Sequence, residues 1–155
     1  MLYIVVYFYM YIYSYAICVH IQFVYGNTGM ENDFGGHDNY HYNNIYGYVG
    51  GQCFGIDGQI EGHQDRFYNN TCILNQGIPT KYGSFSCGTQ NEGNQWPKMG
   101  ENVVYQMSTN ISVTGLCGLN ENAFQQKYPG IDDGTTISGP PNNADILQQA
   151  KQLIF

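Results

Sequence analysis

Positive charge is scarce in this sequence. Of 155 residues only 5 are Lys or Arg, against 12 Asp or Glu, so the net charge is −7, and Arg66 is the one arginine. A protein that holds nucleic acid through its phosphates needs a basic surface, so no nucleic-acid partner is expected. No cysteines stand in a C-x-x-C pair, which removes the usual zinc and thioredoxin-like signatures. The glycine-rich run from Gly47 to Gly51 has no lysine for a phosphate loop. His37 and His41 stand four apart, but Gly and Asn neighbours keep them off a helix that would aim both at one zinc ion. Asp132-Asp133-Gly134 lacks the other ligands of a calcium-binding loop and reads as a turn. The sequence therefore implies no cofactor and no metal, calcium alone staying open.

What is present suits strands. Twenty glycines, 16 asparagines and 23 Tyr plus Phe residues disfavour helices and suit short strands joined by tight turns. The length fits one domain, and the expected class is all-β.

The N-terminus carries no Asp, Glu, Lys or Arg before Glu31, and residues 1–25 are almost wholly apolar or aromatic. Three readings of 1–25 stay open. An apolar stretch followed by Ser14 and Ala16 resembles a secretory signal, although no basic n-region precedes it. An anchor helix is opposed by tyrosines spread along the segment, since tyrosine favours membrane interfaces over the core. A wrongly predicted start is the third reading. A membrane partner is expected only if this segment is retained as an anchor. Four further cysteines, Cys53, Cys72, Cys87 and Cys117, allow three pairings, of which Cys53 with Cys87 is favoured. With the glycosylation sequons at Asn69 and Asn110, they favour an extracellular or secreted protein, with a membrane-anchored form as the alternative.

The most informative feature is an internal repeat. Gly36-His37-Asp38-Asn39-Tyr40-His41-Tyr42-Asn43-Asn44 returns 26 residues later as Gly62-His63-Gln64-Asp65-Arg66-Phe67-Tyr68-Asn69-Asn70, with five identities in register. Each Asn pair precedes a strand-like run, at Ile45–Val49 and Thr71–Leu74, and a looser third copy begins at Glu101-Asn102 after an expected inserted loop from Gly88 to Gly100. Second strands are expected at Cys53–Ile56, Gly83–Cys87 and Ile111–Val113. Short strands recurring at this period, with no helix between them, predict a parallel β-helix of about three coils. Like residues would then stack, with Asn43 and Asn44 beneath Asn69 and Asn70 and with His37 beneath His63.

These residues, from Asn32-Asp33-Phe34-Gly35-Gly36-His37 through Asn102-Val103-Val104-Tyr105, resemble the right-handed parallel β-helix proteins of the pectate-lyase-like class. Phe124-Gln125, followed by Gly130-Ile131-Asp132, is similar to the closing segment of several carbohydrate-active members. The resemblance covers about residues 25–155. It implies the fold more than any activity, because this fold hosts lyases, hydrolases, epimerases and non-catalytic surface proteins.

The expected organisation is coils over 26–118, then a closing segment and C-terminal helix over 119–155. One helix is predicted from Glu121 to Lys127, capped by Asn120. An amphipathic helix through Ile146, Leu147, Ala150, Leu153 and Ile154, with Asn143 as N-cap, is expected to cap the last coil. Three coils are fewer than catalytic members have, so the chain is read as the C-terminal portion of a longer β-helix. Its expected function is binding or processing of polysaccharide, with a non-catalytic surface or interaction module as the alternative. Any enzyme would be a polysaccharide lyase or glycoside hydrolase. The candidate catalytic residues are His63, Asp65, Arg66, Asp57 and Glu61, with Lys81 nearby, because such chemistry needs carboxylates or a base beside a groove.

Overall fold

The computed structural model describes residues 17–19, 28–32, 37–56, 60–75, 81–85, 96–106 and 116–154. In chain order the elements are β1 (Ile17–Val19), β2 (Thr28–Asn32), β3 (Tyr40–Tyr42), β4 (Ile45–Val49), β5 (Gln52–Ile56), β6 (Arg66–Tyr68), β7 (Thr71–Leu74), β8 (Lys81–Ser84), β9 (Lys98–Gly100), β10 (Val103–Gln106), α1 (Glu121–Lys127), β11 (Thr136–Ser138) and α2 (Asn143–Ile154). The protein is all-β in class, and its named strands pair in parallel throughout.

The strands form three sheets, ordered β1-β3-β6-β9, β4-β7-β10-β11 and β2-β5-β8. From β3 to β10 the strands visit the first, second and third sheets in turn, whereas β11 follows β10 in the same sheet. Tyr40 pairs with Arg66 and Ile45 with Thr71, at the 26-residue spacing of the repeat. The next steps are longer, Thr71 to Val103 and Val103 to Thr136. Both longer steps keep parallel pairing between neighbouring strands.

The turn before the second sheet recurs in one backbone conformation. Asn43, Asn69, Glu101 and Gly134 all take positive φ, at 58°, 52°, 55° and 75°. Asparagine tolerates this left-handed region better than most side chains, which explains why two of the four positions hold it. The residue after each of the first three is a buried asparagine. Asn44 donates from its backbone N–H and Nδ2 to Asn70 Oδ1, and Asn70 donates to Asn102 Oδ1 from its backbone N–H at 2.8 Å. Asn102 N–H donates to Thr135 Oγ1 at 3.1 Å, so threonine ends the ladder.

Inward rows form the core. His41, Phe67 and Met99 align on the first sheet, and Tyr46, Cys72 and Val104 on the second. Phe54 of the third sheet lies 4.6 Å from Phe67, ring centre to ring centre. Its register partner is Gly83, where a methyl group would collide with the Phe54 ring and Leu116.

The disulfide joins Cys53 to Cys72, with Cα atoms 5.9 Å apart, and not Cys53 to Cys87 as expected. The register explains the correction. Gln52 opposes Lys81 and Phe54 opposes Gly83, so Cys53 stands opposite Tyr82 across the β5–β8 pair, whereas Cys87 lies outside the described residues. The bond runs across the core between two sheets. Cys117 is also disulfide-bonded. Disulfides fit an oxidising compartment.

Three expectations shift by a few residues. The strand predicted at Gly83–Cys87 is Lys81–Ser84, and the loop predicted to reach Gly100 ends earlier, because Lys98–Gly100 is β9. Asn142 caps α2, accepting from Ala144 N at 3.0 Å, and Asn143 is already helical. The expected strand at Ile111–Val113 lies outside the described residues. β1 falls within the segment 1–25 and pairs with β3.

Helix α1 matches its predicted span, with Asn120 Oδ1 accepting from Ala123 N. It delivers Phe124 to the aromatic cluster around Trp96 and Tyr128. Helix α2 packs Ile146 and Ala150 against Ile45 and Ile73. The expected capping helix therefore lies along the outer face of the second sheet, because the apolar residues it needs are on that face.

Candidate functional site

The short strands β3 and β6 read Tyr-His-Tyr and Arg-Phe-Tyr. Alternate side chains point to opposite faces of a sheet, so the buried His41 and Phe67 face inward and the flanking residues face out. Pairing stacks Tyr40, Arg66 and Lys98 in one outward row and Tyr42 with Tyr68 in the next. Neighbours in a row are separated by the strand spacing, about 4.8 Å.

These rows line a concave space of about 420 Å³, bounded by Tyr40, Tyr42, Arg66, Tyr68, Asn43 and Asn69, with His41 beneath. The Arg66 guanidinium carbon lies 4.6 Å from the Tyr40 ring centre, a cation–π contact that fixes both side chains. Asn69 Nδ2 donates to Asn43 Oδ1 at 2.6 Å and pins the rim. Burial pushes the Tyr68 phenol upward, so it remains a neutral hydrogen-bonding group. Burial also pushes His41 down to about 4, leaving the floor uncharged at neutral pH. Two of the chain's five cations, Arg66 and Lys98, thus share one face of an otherwise acidic protein.

On the N-terminal side of β3 and β6, the repeat brings His37 against His63, with ring centres 4.0 Å apart. Both Nδ1 atoms lie within hydrogen-bond distance of Asp38 Oδ2, at 2.8 and 2.6 Å. The contacts to His63 and His37 hold the Asp38 carboxyl below its usual range, against a smaller opposing effect of burial.

The residues singled out in the sequence do not converge on one point. His63 joins the Asp38 turn, and Arg66 lines the concave face. Asp65 is buried and accepts from both the backbone N–H and Nδ2 of Asn39, which ties it to the turn. Glu61 is exposed, Lys81 starts β8 in the third sheet, and Asp57 lies outside the described residues. Sequence reasoning did not single out Tyr40, Tyr42, Tyr68 and Lys98, because it placed no strand at β3, β6 or β9. The Tyr-x-Tyr alternation was the available signal.

A second group also went unread. Asp132 is fully buried and accepts from Tyr82 OH at 3.1 Å and Thr135 Oγ1 at 2.6 Å. Among the described residues, Asp132 Oδ2 and both Glu121 oxygens are buried without a hydrogen-bond partner, an arrangement that favours the neutral acid over the carboxylate. Burial, then the neighbouring Glu121, raises Asp132 to about 8. Burial raises Glu121 as well.

No protein-family model, curated protein or solved structure matches the chain.

Proposed function

We propose that this chain is a right-handed parallel β-helix whose outward β3–β6–β9 face binds an acidic polysaccharide outside the cell. The β-helix reading is supported by strands β3 to β10, which visit three sheets in rotation and pair in parallel, the first step at the repeat spacing. Right-handedness follows from the strong preference of parallel crossover connections for that hand. The disulfides support an oxidising, extracellular setting.

The observation that carries the binding reading is the pair of outward rows, Tyr40–Arg66–Lys98 and Tyr42–Tyr68, over a concave face rimmed by asparagine amides. Tyrosine rings offer apolar faces for sugar rings with a hydroxyl for hydrogen bonding. Arg66 and Lys98 supply countercharge for uronate carboxylates, arginine with a fork that matches the carboxylate shape. The spacing between strands is about the length of one sugar unit, so a glycan crossing the strands would meet a similar environment at each step. No Asp or Glu is among the described residues lining this space, which favours binding over glycoside hydrolysis, since that chemistry needs two carboxyl groups.

Affinity electrophoresis of the full chain through gels containing polygalacturonate or neutral dextran tests this. Retardation by polygalacturonate alone is expected, weakened by salt, with Tyr42→Ala and Arg66→Ala each reducing affinity at least about fivefold. Absence of retardation, or equal retardation of both variants and the parent, overturns the reading.

A further inference from the structure

We propose that His37, Asp38 and His63 form a binding site for one divalent transition-metal ion of the zinc class. One ligand atom from each residue lies within 4.8 Å of the other two, and both imidazole Nδ1 atoms approach Asp38 Oδ2. They come from two successive passes of the chain. The repeat duplicates the histidine but not the carboxylate, since Gln64 stands where Asp38 does, and the result is two nitrogens around a single oxygen.

One hydrogen bond from one histidine would suffice to anchor this turn, yet both rings address the same Oδ2, at 2.8 and 2.6 Å. The other carboxylate oxygen accepts from Gln64 N at 3.3 Å, which orients the group as an outer contact orients a metal ligand. Asp38 takes positive φ, 59°, a conformation costly for a non-glycine residue and concentrated at functional sites.

Zinc bonds of about 2.1 Å in tetrahedral geometry separate ligand atoms by about 3.4 Å. The two nitrogen–oxygen pairs, at 2.8 and 2.6 Å, therefore need to part by less than about 1 Å to admit the ion. Each imidazole would bind as a neutral ring through Nδ1, with its proton on Nε2, and Asp38 as the carboxylate. The side chains are 23%, 24% and 43% exposed for His37, Asp38 and His63, so solvent can deliver the ion and water can complete its coordination. Two imidazoles suit zinc, copper or nickel, whereas calcium demands six or more oxygens.

Isothermal titration of the full chain with zinc chloride, and with calcium chloride in parallel, tests the site. One equivalent of zinc should bind with micromolar affinity, with no heat from calcium. His63→Ala and Asp38→Asn should each weaken zinc binding at least about tenfold, and the His37→Ala/His63→Ala double variant should abolish it. Far-UV circular dichroism without metal checks that the variants fold. Should the double variant not fold, the electron paramagnetic resonance spectrum of the parent chain with one equivalent of copper(II) decides: two nitrogen ligands support the site. No binding at millimolar zinc, unchanged affinity in the double variant, or a copper spectrum without two nitrogens overturns the proposal.

Discussion

Asn70 Oδ1 accepts two hydrogen bonds from Asn44, one from its backbone N–H and one from its Nδ2, each at 3.0 Å. The same asparagine donates its own Nδ2 to His41 O at 2.9 Å, so one side chain ties together two passes of the chain. A buried polar group costs most when a partner is removed and nothing replaces it.

Replacing Asn70 by Ala is expected to destabilise the protein by about 3 kcal/mol, because it takes the side-chain acceptor from the Asn44 backbone N–H and the side-chain donor from the His41 carbonyl. The exposed neighbour Asn69 has positive φ and its one described side-chain bond goes to Asn43 at the rim, so Asn69→Gly should change stability by less than about 0.5 kcal/mol. Urea denaturation of both variants measures the contrast. Equal losses would show that the ladder carries no special share of the stability.

Gly83→Ala should cost about 1–3 kcal/mol, since its methyl group would meet the Phe54 ring and Leu116, neither of which has room to retreat in a packed core. The companion variant Gly83→Ala/Phe54→Leu should recover part of the loss. Thermal unfolding reads both, and an unperturbed single variant would place Phe54 elsewhere.

A peptide map under non-reducing conditions should recover Cys53 linked to Cys72. At a sequence separation of 19, removing this bond by Cys53→Ser/Cys72→Ser should cost about 3 kcal/mol. A Cys53–Cys87 peptide would show that the β5–β8 register is wrong.

Stability should depend on pH in two opposite senses. Asp132 is raised to about 8 from an ordinary 3.8, so the folded state holds its proton where the unfolded chain has released it. That contribution is complete in acid and is lost as pH rises through about 8. His41 is lowered to about 4 from 6.5, so its contribution is present above 6.5 and lost as pH falls through about 4. Melting temperature should therefore decline from pH 6.5 upward. Asp132→Asn keeps an acceptor for Tyr82 and Thr135 and does not titrate, so it should flatten that decline. An equally steep decline in the variant would remove Asp132 as its cause.

Much of the architecture was written in the 26-residue spacing. Parallel stacking sets identical side chains above one another, so the Asn pairs and the paired histidines revealed the register of β4 with β7 and the contact of His37 with His63. Helix α1 was equally legible, because a cap at Asn120 and a stop at Pro129-Gly130 are local signals. What a residue meets across the core has no such local signal. Cys53 finds Cys72 only because two sheets face each other, and Asp132 meets Tyr82 fifty residues away by the same means. The outward row of Tyr40, Arg66 and Lys98 belongs to the tertiary structure too, since three-residue strands are too short to show a period on their own. Sequence determined which segments repeat, because repetition is a property of the chain. Only the folded structure decided which side chains share a face, because that depends on where each turn sends the chain next.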